Sequence, residues 1–200
     1  MQQRIAKETL LERLTQWAES ARKQGIATEE IQKIEELSAS SRFWTIANQL
    51  GDWANRKNDP LFFTESMEVV ASIRDYQGQK AYHASNPTTV VFGTSGWRGV
   101  IGEDFHILNV HKVIRAIVEM MRQPVFLRTN GYSSFTEVQK AGLLLFRDNR
   151  FMGDDFCRVA RMELNAARIK VYEPGMCPTG VGSALVTQFQ TAGSINFTPS

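Results

Sequence analysis

The pattern that most restricts the fold is an alternation of short apolar runs and amphipathic helices that starts at about residue 88. Three units can be recognised, and in each an apolar run is followed by a turn and then by a helix. The runs are TTVVF at 88–92, LLLF at 143–146 and IKVY at 169–172. Strands that alternate with helices build sheets whose faces are covered by helices. The sequence therefore predicts a three-layer α/β/α domain over residues 88–200.

The helices of these three units are predicted from apolar residues that recur every three or four positions. Such spacing gives a helix one apolar face, which is expected to pack inward. The residues are Val110, Val113, Ile114, Ile117, Val118 and Met121 in the first helix, Phe156, Val159, Ala160 and Leu164 in the second, and Val181, Ala184 and Leu185 in the third. Asp154 and Asp155 suit the positive N-terminal end of the second helix.

Residues 1–80 carry only helical periodicity, so we predict an all-helical N-terminal extension. Its inward-facing residues are predicted to be Ala6, Leu10, Leu14, Trp17 and Ala21, then Phe43, Ile46, Ala47, Leu50, Trp53 and Ala54, and finally Phe63, Met67, Val70 and Ile73. Thr28 is expected to cap a short second helix through its hydroxyl. Trp44, with Trp17, Trp53 and Phe63, is expected in a helical core rather than on a binding face.

The segment GQKAYHASNP lacks periodicity and ends in proline. We therefore expect the last helix of the extension to end near Gly78. Residues 81–87 are interpreted as a linker between the helical extension and the α/β domain.

Composition excludes several classes of function. The 23 basic and 21 acidic residues give a net charge of +2, which favours neither a nucleic acid nor an anionic membrane as partner. Cys157 and Cys177 have no metal-like spacing, and the three histidines form no recognisable ligand set. The N-terminus is too charged for a signal peptide, and no apolar run approaches the roughly 20 residues that span a bilayer. We therefore expect reduced thiols and a cytoplasmic location.

The segment VVFGTSGWRGVIGEDF at 90–105 places a glycine-rich turn between the first apolar run and the first helix. Such turns expose backbone amides that can bind phosphate groups. The segment lacks the ending of a P-loop, and its glycines do not have dinucleotide-binding spacing. A tight turn without a ligand explains the pattern equally well. Arg98 could hold a phosphate dianion by paired hydrogen bonds, or it could pair with Glu103 or Asp104.

A second polar cluster follows the apolar run of the second unit and contains Arg147, Asp148 and Arg150. Parallel sheets present functional loops at the carboxyl ends of their strands, although an ordinary strand-to-helix turn has the same appearance. Asp148 also raises the alternative of a nucleotide-binding α/β protein, in which an acidic residue contacts the ribose. The glycine spacing and the long interval before Asp148 count against that alternative.

Four motifs in this order resemble the opening domain of the α-D-phosphohexomutases, the phosphoglucomutase and phosphomannomutase family. FGTSGWRG is similar to the T-S-G-x-R-G motif, and DNRFMG is similar to D-T-R-x-x-G. CPTG stands at the position of P-T-P, and SINFTPS leads to the position of T-A-S-H-N-P. The similarity covers roughly Thr88 to Ser200. It implies an α/β/α domain I, here incomplete, of an enzyme that interconverts hexose 1-phosphate and hexose 6-phosphate.

The resemblance also implies site residues and cofactors. Ser200 takes the position of the catalytic serine, which carries a phosphoryl group and gives it to a hexose phosphate. Arg98, with Thr94 and Ser95 beside it, would face the phosphoserine and the substrate, and Arg150 would support the active-site loop. Mg²⁺ would bind the phosphoryl group on Ser200 together with ligands outside these 200 residues. A hexose 1,6-bisphosphate would act as activator.

The chain departs from the family pattern in several places. Pro199 replaces the usual alanine, and Gly180 replaces the second proline of P-T-P. The 200 residues contain no D-G-D-x-D-R magnesium motif. They also contain neither the sugar-recognition loop nor the C-terminal phosphate-binding loop of the family. We therefore expect these residues to be inactive alone.

Three explanations of these departures are considered. We favour the N-terminal part of a longer mutase, because the sequence stops inside a strand-loop unit rather than at a linker. The partners would then be a hexose phosphate and the remaining mutase domains. The alternatives are a degenerate product and a non-catalytic interaction module that binds a protein partner through the helical extension.

Overall fold

The computed structural model describes residues 5–94 and 96–198 of the chain. Contacts between residues divide the chain into two compact units, Met1–Lys80 and Ala81–Ser200. Within the described ranges, none of the helices combines the length and the apolar character that crossing a membrane requires. The elements are α1 Lys7–Lys23, α2 Thr28–Ala39, α3 Phe43–Arg56, α4 Pro60–His83, β1 Phe92–Gly93, β2 Gly96–Trp97, α5 Ile107–Arg122, α6 Pro124–Thr129, α7 Phe135–Ala141, β3 Leu143–Arg147, α8 Gly153–Ala166, β4 Val171–Met176, α9 Thr179–Phe189 and β5 Ser194–Phe197.

The first unit buries the apolar faces of its helices in one core. The predicted inward faces of α1 and α3 are confirmed apart from Ala6, since their buried residues include Leu10, Leu14, Trp17 and Ala21, and Phe43, Ile46, Ala47, Leu50, Trp53 and Ala54. Ala6 is exposed and precedes α1 as its N-cap residue, so its predicted inward position is wrong. Trp17 stacks on Trp53 with ring centroids 6.5 Å apart. The Trp17 indole nitrogen donates a hydrogen bond to Oγ of the fully buried Ser66 at 3.1 Å. A buried polar pair is thus satisfied inside the core.

The inward face of α4 differs from the prediction. Phe62 is 1% exposed, whereas the predicted Phe63 is 43% exposed. The buried face continues through Ser66 rather than through Met67, which is only half-buried. Because the inward face includes a polar serine, the spacing of apolar residues alone does not show which residues of α4 face inward. The core position predicted for Phe63 is therefore wrong, whereas Val70 and Ile73 are buried as predicted.

Two boundaries in the first unit also differ from the prediction. α2 begins at Thr28, so the N-cap residue is Ala27, and no side chain caps the helix. α4 continues through Gly78 to His83, which makes residues 81–83 of the predicted linker helical. Gly78 is buried within the helix, and packing outweighs the low helix propensity of glycine there.

The second unit is built on a parallel sheet with strand order β4-β3-β5. The central strand β3 contains the LLLF run, and each of these four residues is at most 2% exposed. A strand that is buried on both faces reads as a continuous apolar run, as this one does. The predicted α/β class is confirmed.

Helices cover both faces of this sheet. On β5, Phe197 lies on the side of α8, where its ring contacts that of Phe156 at 5.9 Å between centroids. Neighbouring side chains on a strand point to opposite faces. Asn196, paired with Phe146 of β3, therefore lies on the other face, where its Nδ2 donates to Oγ1 of Thr179 in α9 at 3.0 Å. α9, the sheet and α8 form the three predicted layers, and α5 packs against α8.

The predicted first strand is wrong. Of the run TTVVF only Phe92 lies in a strand, and that strand pairs antiparallel with β2 instead of joining the sheet. Residues 84–91 form neither helix nor strand. β-propensity depends strongly on the pairing partner, and the glycines after Phe92 reverse the chain within four residues.

The third strand lies farther along the chain than the predicted run IKVY. β4 begins at Val171 and extends through Met176 into the predicted turn.

The helix α9 does not bury the apolar residues that the sequence suggested. Val181 is 48% exposed, Ala184 is exposed and Leu185 is half-buried. The buried residue of this helix is Gly182. A Cβ atom on Gly182 would lie 2.0 Å from Cζ of Phe146, so α9 approaches the sheet through its glycine.

Candidate functional site

The glycine-rich segment forms a short hairpin. Phe92 pairs with Trp97, and Gly93 pairs with Gly96. Gly96 has a φ of +126°, a conformation that residues with a side chain rarely adopt, so glycine is required there. Arg98 follows β2 directly and is exposed. The predicted Thr94 is exposed between the two strands, and Ser95 lies outside the described residues.

A compact turn joins this hairpin to α5. The carbonyl oxygen of Val100 accepts hydrogen bonds from the backbone amides of Glu103, Asp104 and Phe105, each at 3.0 Å. A backbone amide bond from Gly102 to the carbonyl of Phe105 at 3.1 Å closes the turn from the other side. The segment between the hairpin and the helix is therefore fixed by its own backbone.

Buried polar residues connect the segment that precedes the hairpin to the start of α5. His106 is 1% exposed and its Nδ1 accepts from the backbone amide of Asn109 at 3.2 Å, which caps the helix. Burial lowers the pKa of His106 and so favours the neutral ring that this cap requires. Nδ2 of the fully buried Asn109 donates to Oγ1 of Thr88 at 2.5 Å and to the carbonyl of Asp104 at 2.8 Å.

Arg150 connects the ends of two neighbouring strands. The carboxylate of Asp148 accepts from the backbone amide of Arg150 at 3.0 Å and pairs with its guanidinium Nε at 2.9 Å. Arg150 Nη1 also donates to the carbonyl of Thr198 at 3.4 Å, just beyond β5. The loop after β3 therefore reaches the end of β5, two residues before Ser200.

A cavity of about 540 Å³ lies between the hairpin, α5 and β5. Arg98 lines it on the hairpin side, and Arg150 and Thr198 line it at the end of β5. Much of the remaining wall is apolar and is provided by α5 through Val110, Val113, Ile114 and Ile117. Two guanidinium groups beside an apolar wall favour an anionic ligand, because charges interact more strongly where water is partly excluded.

The comparison with protein families bears on this part of the chain. A family model described as phosphoglucomutase/phosphomannomutase, alpha/beta/alpha domain I, matches residues 89–200. The chain belongs to this family. Neither the curated proteins nor the solved structures give a match to the chain.

The phosphoglucomutase/phosphomannomutase domain brings together two of the five site residues predicted from the sequence. Arg98 and Arg150 line one cavity although 52 residues separate them in the chain. Thr94 does not line that cavity. Ser95 and Ser200 lie outside the described residues, as does Pro199.

Asn196 is a residue of this family domain that the sequence analysis missed. It lines the same cavity, and its hydrogen bond to Thr179 ties β5 to the CPTG turn. Its Oδ1 atom is buried without a hydrogen-bond partner among the described residues. An asparagine between the apolar residues Ile195 and Phe197 was the signal that could have found it. Gly180, the replacement in the family's P-T-P motif, is exposed, and an added Cβ would meet nothing within 4 Å.

A second cavity of about 470 Å³ contains Cys157 but does not provide a nucleophile. Burial raises the pKa of the Cys157 thiol to about 12, although the charge of Arg147 acts in the opposite direction. The thiol is therefore protonated near neutral pH and is a poor nucleophile. The charges around it are matched, since Arg147 pairs with Asp154 at 2.5 Å and Arg161 pairs with Glu173 at 3.0 Å.

Proposed function

We propose that this chain is the phosphoryl-carrying N-terminal part of a phosphohexomutase that interconverts hexose 1-phosphate and hexose 6-phosphate. Ser200 is the phosphoryl carrier, and Thr94, Ser95, Arg98 and Arg150 are the proposed phosphate-binding residues, although Thr94 does not line the cavity that Arg98 and Arg150 share. The observation that carries the proposal is the shared cavity of Arg98 and Arg150 beside the strand that leads to Ser200, within a domain of the mutase family. The enzyme acts in the cytoplasm, without a nucleic acid or a membrane as partner.

The proposed reaction moves one phosphoryl group at a time. The P–O bond to Ser200 breaks while a new P–O bond forms to a free hydroxyl of the hexose phosphate; a base takes the hydroxyl proton, and the departing serine oxygen takes up a proton to become a hydroxyl again. The resulting hexose 1,6-bisphosphate turns around and returns its other phosphoryl group to Ser200. The serine is then phosphorylated again, so the net reaction is an isomerisation. The same bisphosphate is the activator that phosphorylates a bare serine.

The two arginines have separate tasks in this proposal. Arg98 stabilises anionic phosphate oxygens, because a guanidinium can donate two parallel hydrogen bonds to them. Arg150, whose charge is partly offset by its pair with Asp148, lies at the same cavity and holds the carbonyl of Thr198, two residues before Ser200 in the sequence.

Mg²⁺ is part of the proposal, but the described residues do not form a site for it. Residues 5–94 and 96–198 contain no group of three or more His, Cys, Asp or Glu side chains suited to a metal ion. Within this chain the proposed ligand is the phosphoryl group on Ser200. The 200 residues also contain no D-G-D-x-D-R motif. We therefore expect no mutase turnover from them alone.

The nucleotide-binding alternative depends on Asp148 as a ribose ligand. The Asp148 carboxylate is engaged by both the backbone amide and the guanidinium of Arg150. A ribose at Asp148 would have to compete with this charge-assisted pair, which counts against the nucleotide-binding alternative.

The proposal predicts phosphoserine at Ser200. The measurement is phosphopeptide mass spectrometry of the protein from its native cells, before and after incubation with hexose 1,6-bisphosphate. We expect phosphate on the peptide that contains Ser200, and its loss in Ser200→Ala. Ser194→Ala, six residues earlier in the sequence, is the matched control and should keep the modification. A Ser200 hydroxyl that stays bare in both samples contradicts the proposal.

A further inference from the structure

Trp97 links the candidate site to the core of the second unit. It directly precedes Arg98 and lines the same cavity. Its ring stacks on Phe105 with centroids 4.0 Å apart and planes 18° apart. Phe105 contacts Phe156 and Phe197 at centroid distances of 4.8 and 6.4 Å. Phe156 is fully buried and Phe197 is 7% exposed, so the stack ends on fixed core side chains.

Among the described residues of the hairpin, Trp97 makes the main side-chain contact with the rest of the unit. It consists of two residue pairs, and a two-stranded hairpin is at best marginally stable in water. Phe92, the strand partner of Trp97, is 59% exposed, and Gly93 and Gly96 have no side chain to pack. Within β1 and β2, Trp97 is therefore the one large side chain that is half-buried.

Phe105 is held independently of the hairpin. Its backbone amide donates to Val100 and its carbonyl accepts from Gly102. The next residue, His106, caps α5. The ring on which Trp97 stacks is thus attached to a 16-residue helix.

We propose that Trp97 is a positioning residue that sets the place of Arg98 through its stack on Phe105. The inference rests on the proposed function, in which Arg98 binds phosphate. Loss of the stack releases the end of the hairpin, and the Arg98 guanidinium then spends less time at the cavity. Phe197 contacts the same ring and stands directly before Thr198, so the two sides of the cavity share one support.

The first test measures position without any ligand. In ¹⁵N relaxation of the 200-residue chain, we expect the Arg98 amide to have an order parameter of about 0.85 and to fall below about 0.6 in Trp97→Leu. Trp97→Phe keeps a ring for the stack and should restore the order. Phe189→Leu is the matched control, because it removes another stacked pair of the same unit, Tyr172 with Phe189 at 5.3 Å.

The second test measures binding of inorganic phosphate to the same variants. Trp97→Leu should weaken binding about three- to tenfold, as expected from the loss of one aromatic pair. Trp97→Phe should bind nearly as well as the unchanged chain, and Phe189→Leu should bind equally well. Thermal unfolding of all variants separates a change in positioning from a general loss of stability.

The outcomes distinguish this inference from the proposed function. Lost order at Arg98 with weaker phosphate binding supports both. An Arg98 amide that remains ordered in Trp97→Leu overturns the inference, whatever the affinity. If Arg98 loses order in Trp97→Leu but the unchanged chain binds no phosphate, the positioning role stands and the proposed function is contradicted.

Discussion

At the scale of single residues, Gly182 determines how closely α9 approaches the sheet. An added Cβ would lie 2.0 to 2.5 Å from three ring carbons of Phe146, which is itself 2% exposed. Phe146 belongs to the central strand β3, and its buried ring cannot move away without disturbing neighbouring side chains. A glycine is therefore required by close packing at this position rather than by an unusual backbone angle.

Gly182→Ala is expected to destabilise the second unit. Overpacking of a core lowers the free energy of unfolding by about 1–3 kcal/mol, and the higher helix propensity of alanine offsets up to about 1 kcal/mol of that loss. Urea unfolding followed by circular dichroism measures the change. Gly180→Ala, in the same helix but with open space around the added methyl, is the control and should be neutral or slightly stabilising. Equal effects of the two substitutions would show that the contact with Phe146 is unimportant.

At the scale of elements, a carboxylate joins α5 to α8. Glu163 of α8 accepts two hydrogen bonds from the guanidinium of Arg115 in α5, at 2.8 and 2.9 Å. His111 Nδ1 lies 2.6 Å from the same carboxylate. The Glu163 side chain is only 12% exposed, and the hydrogen bonds from Arg115 lower the pKa of its carboxyl group, although burial acts in the opposite direction.

Because its pKa is lowered in the folded state, Glu163 stabilises the fold above its ordinary pKa of 4.5 and loses this effect as the pH falls further. Glu163→Gln should therefore lower the free energy of unfolding by about 1 kcal/mol at pH 7 and by much less at pH 3. Urea unfolding at both pH values measures the difference. Glu119→Gln, whose pair with Arg122 is solvent-exposed, should change stability little at either pH. A Glu163→Gln effect that is independent of pH contradicts this account.

The elements that could be predicted from sequence are those whose own residues decide their structure. The LLLF run predicts β3 correctly because a strand buried on both faces requires continuous apolar residues. The spacing of Phe156, Val159, Ala160 and Leu164 predicts the buried face of α8 for the same reason. TTVVF was misread because its pairing depends on the glycines that follow it. The first part of the inward face of α4 was misread, with Phe63 in place of Phe62, because Ser66 takes an inward position through its bond to Trp17.

At the scale of the whole molecule, the helical unit contains a core of its own. Residues from α1, α2, α3 and α4 form one buried cluster, and Trp17 contacts both Trp53 and Phe62 within it. A unit of this size is expected to have a stability of roughly 4–12 kcal/mol. Residues 1–83 should therefore fold without the second unit.

Trp17→Ala is expected to unfold most of the isolated segment 1–83. Replacing a buried tryptophan by alanine costs about 3–5 kcal/mol, which is comparable with the whole stability of such a unit. Circular dichroism at 222 nm and thermal unfolding measure the loss of helix. Trp44→Ala replaces the same residue type at a half-buried position and should cost clearly less. A segment 1–83 that is unfolded before any substitution contradicts the independence of its core.

The candidate site could be predicted in part. The motifs located Arg98 and Arg150, and the parallel sheet explains why residues after β3 and β5 meet at one edge. The roles of Trp97 and Asn196 could not be predicted from sequence, because each depends on a contact with a distant element. The same is true of Asp148, which the sequence offered as a ribose ligand and which pairs with Arg150.

The most direct test of the account is a titration of the 200-residue chain with a hexose 6-phosphate, followed by ¹⁵N NMR of backbone amides and arginine Nε–H groups. The account predicts saturable shifts at Arg98, Arg150 and Thr198. These shifts should be lost in Arg98→Gln and retained in Arg161→Gln, whose arginine lines the cavity beside Cys157. No saturable shift at these three residues in the folded chain, or shifts centred on Arg161, would contradict the claim that this cavity binds a sugar phosphate.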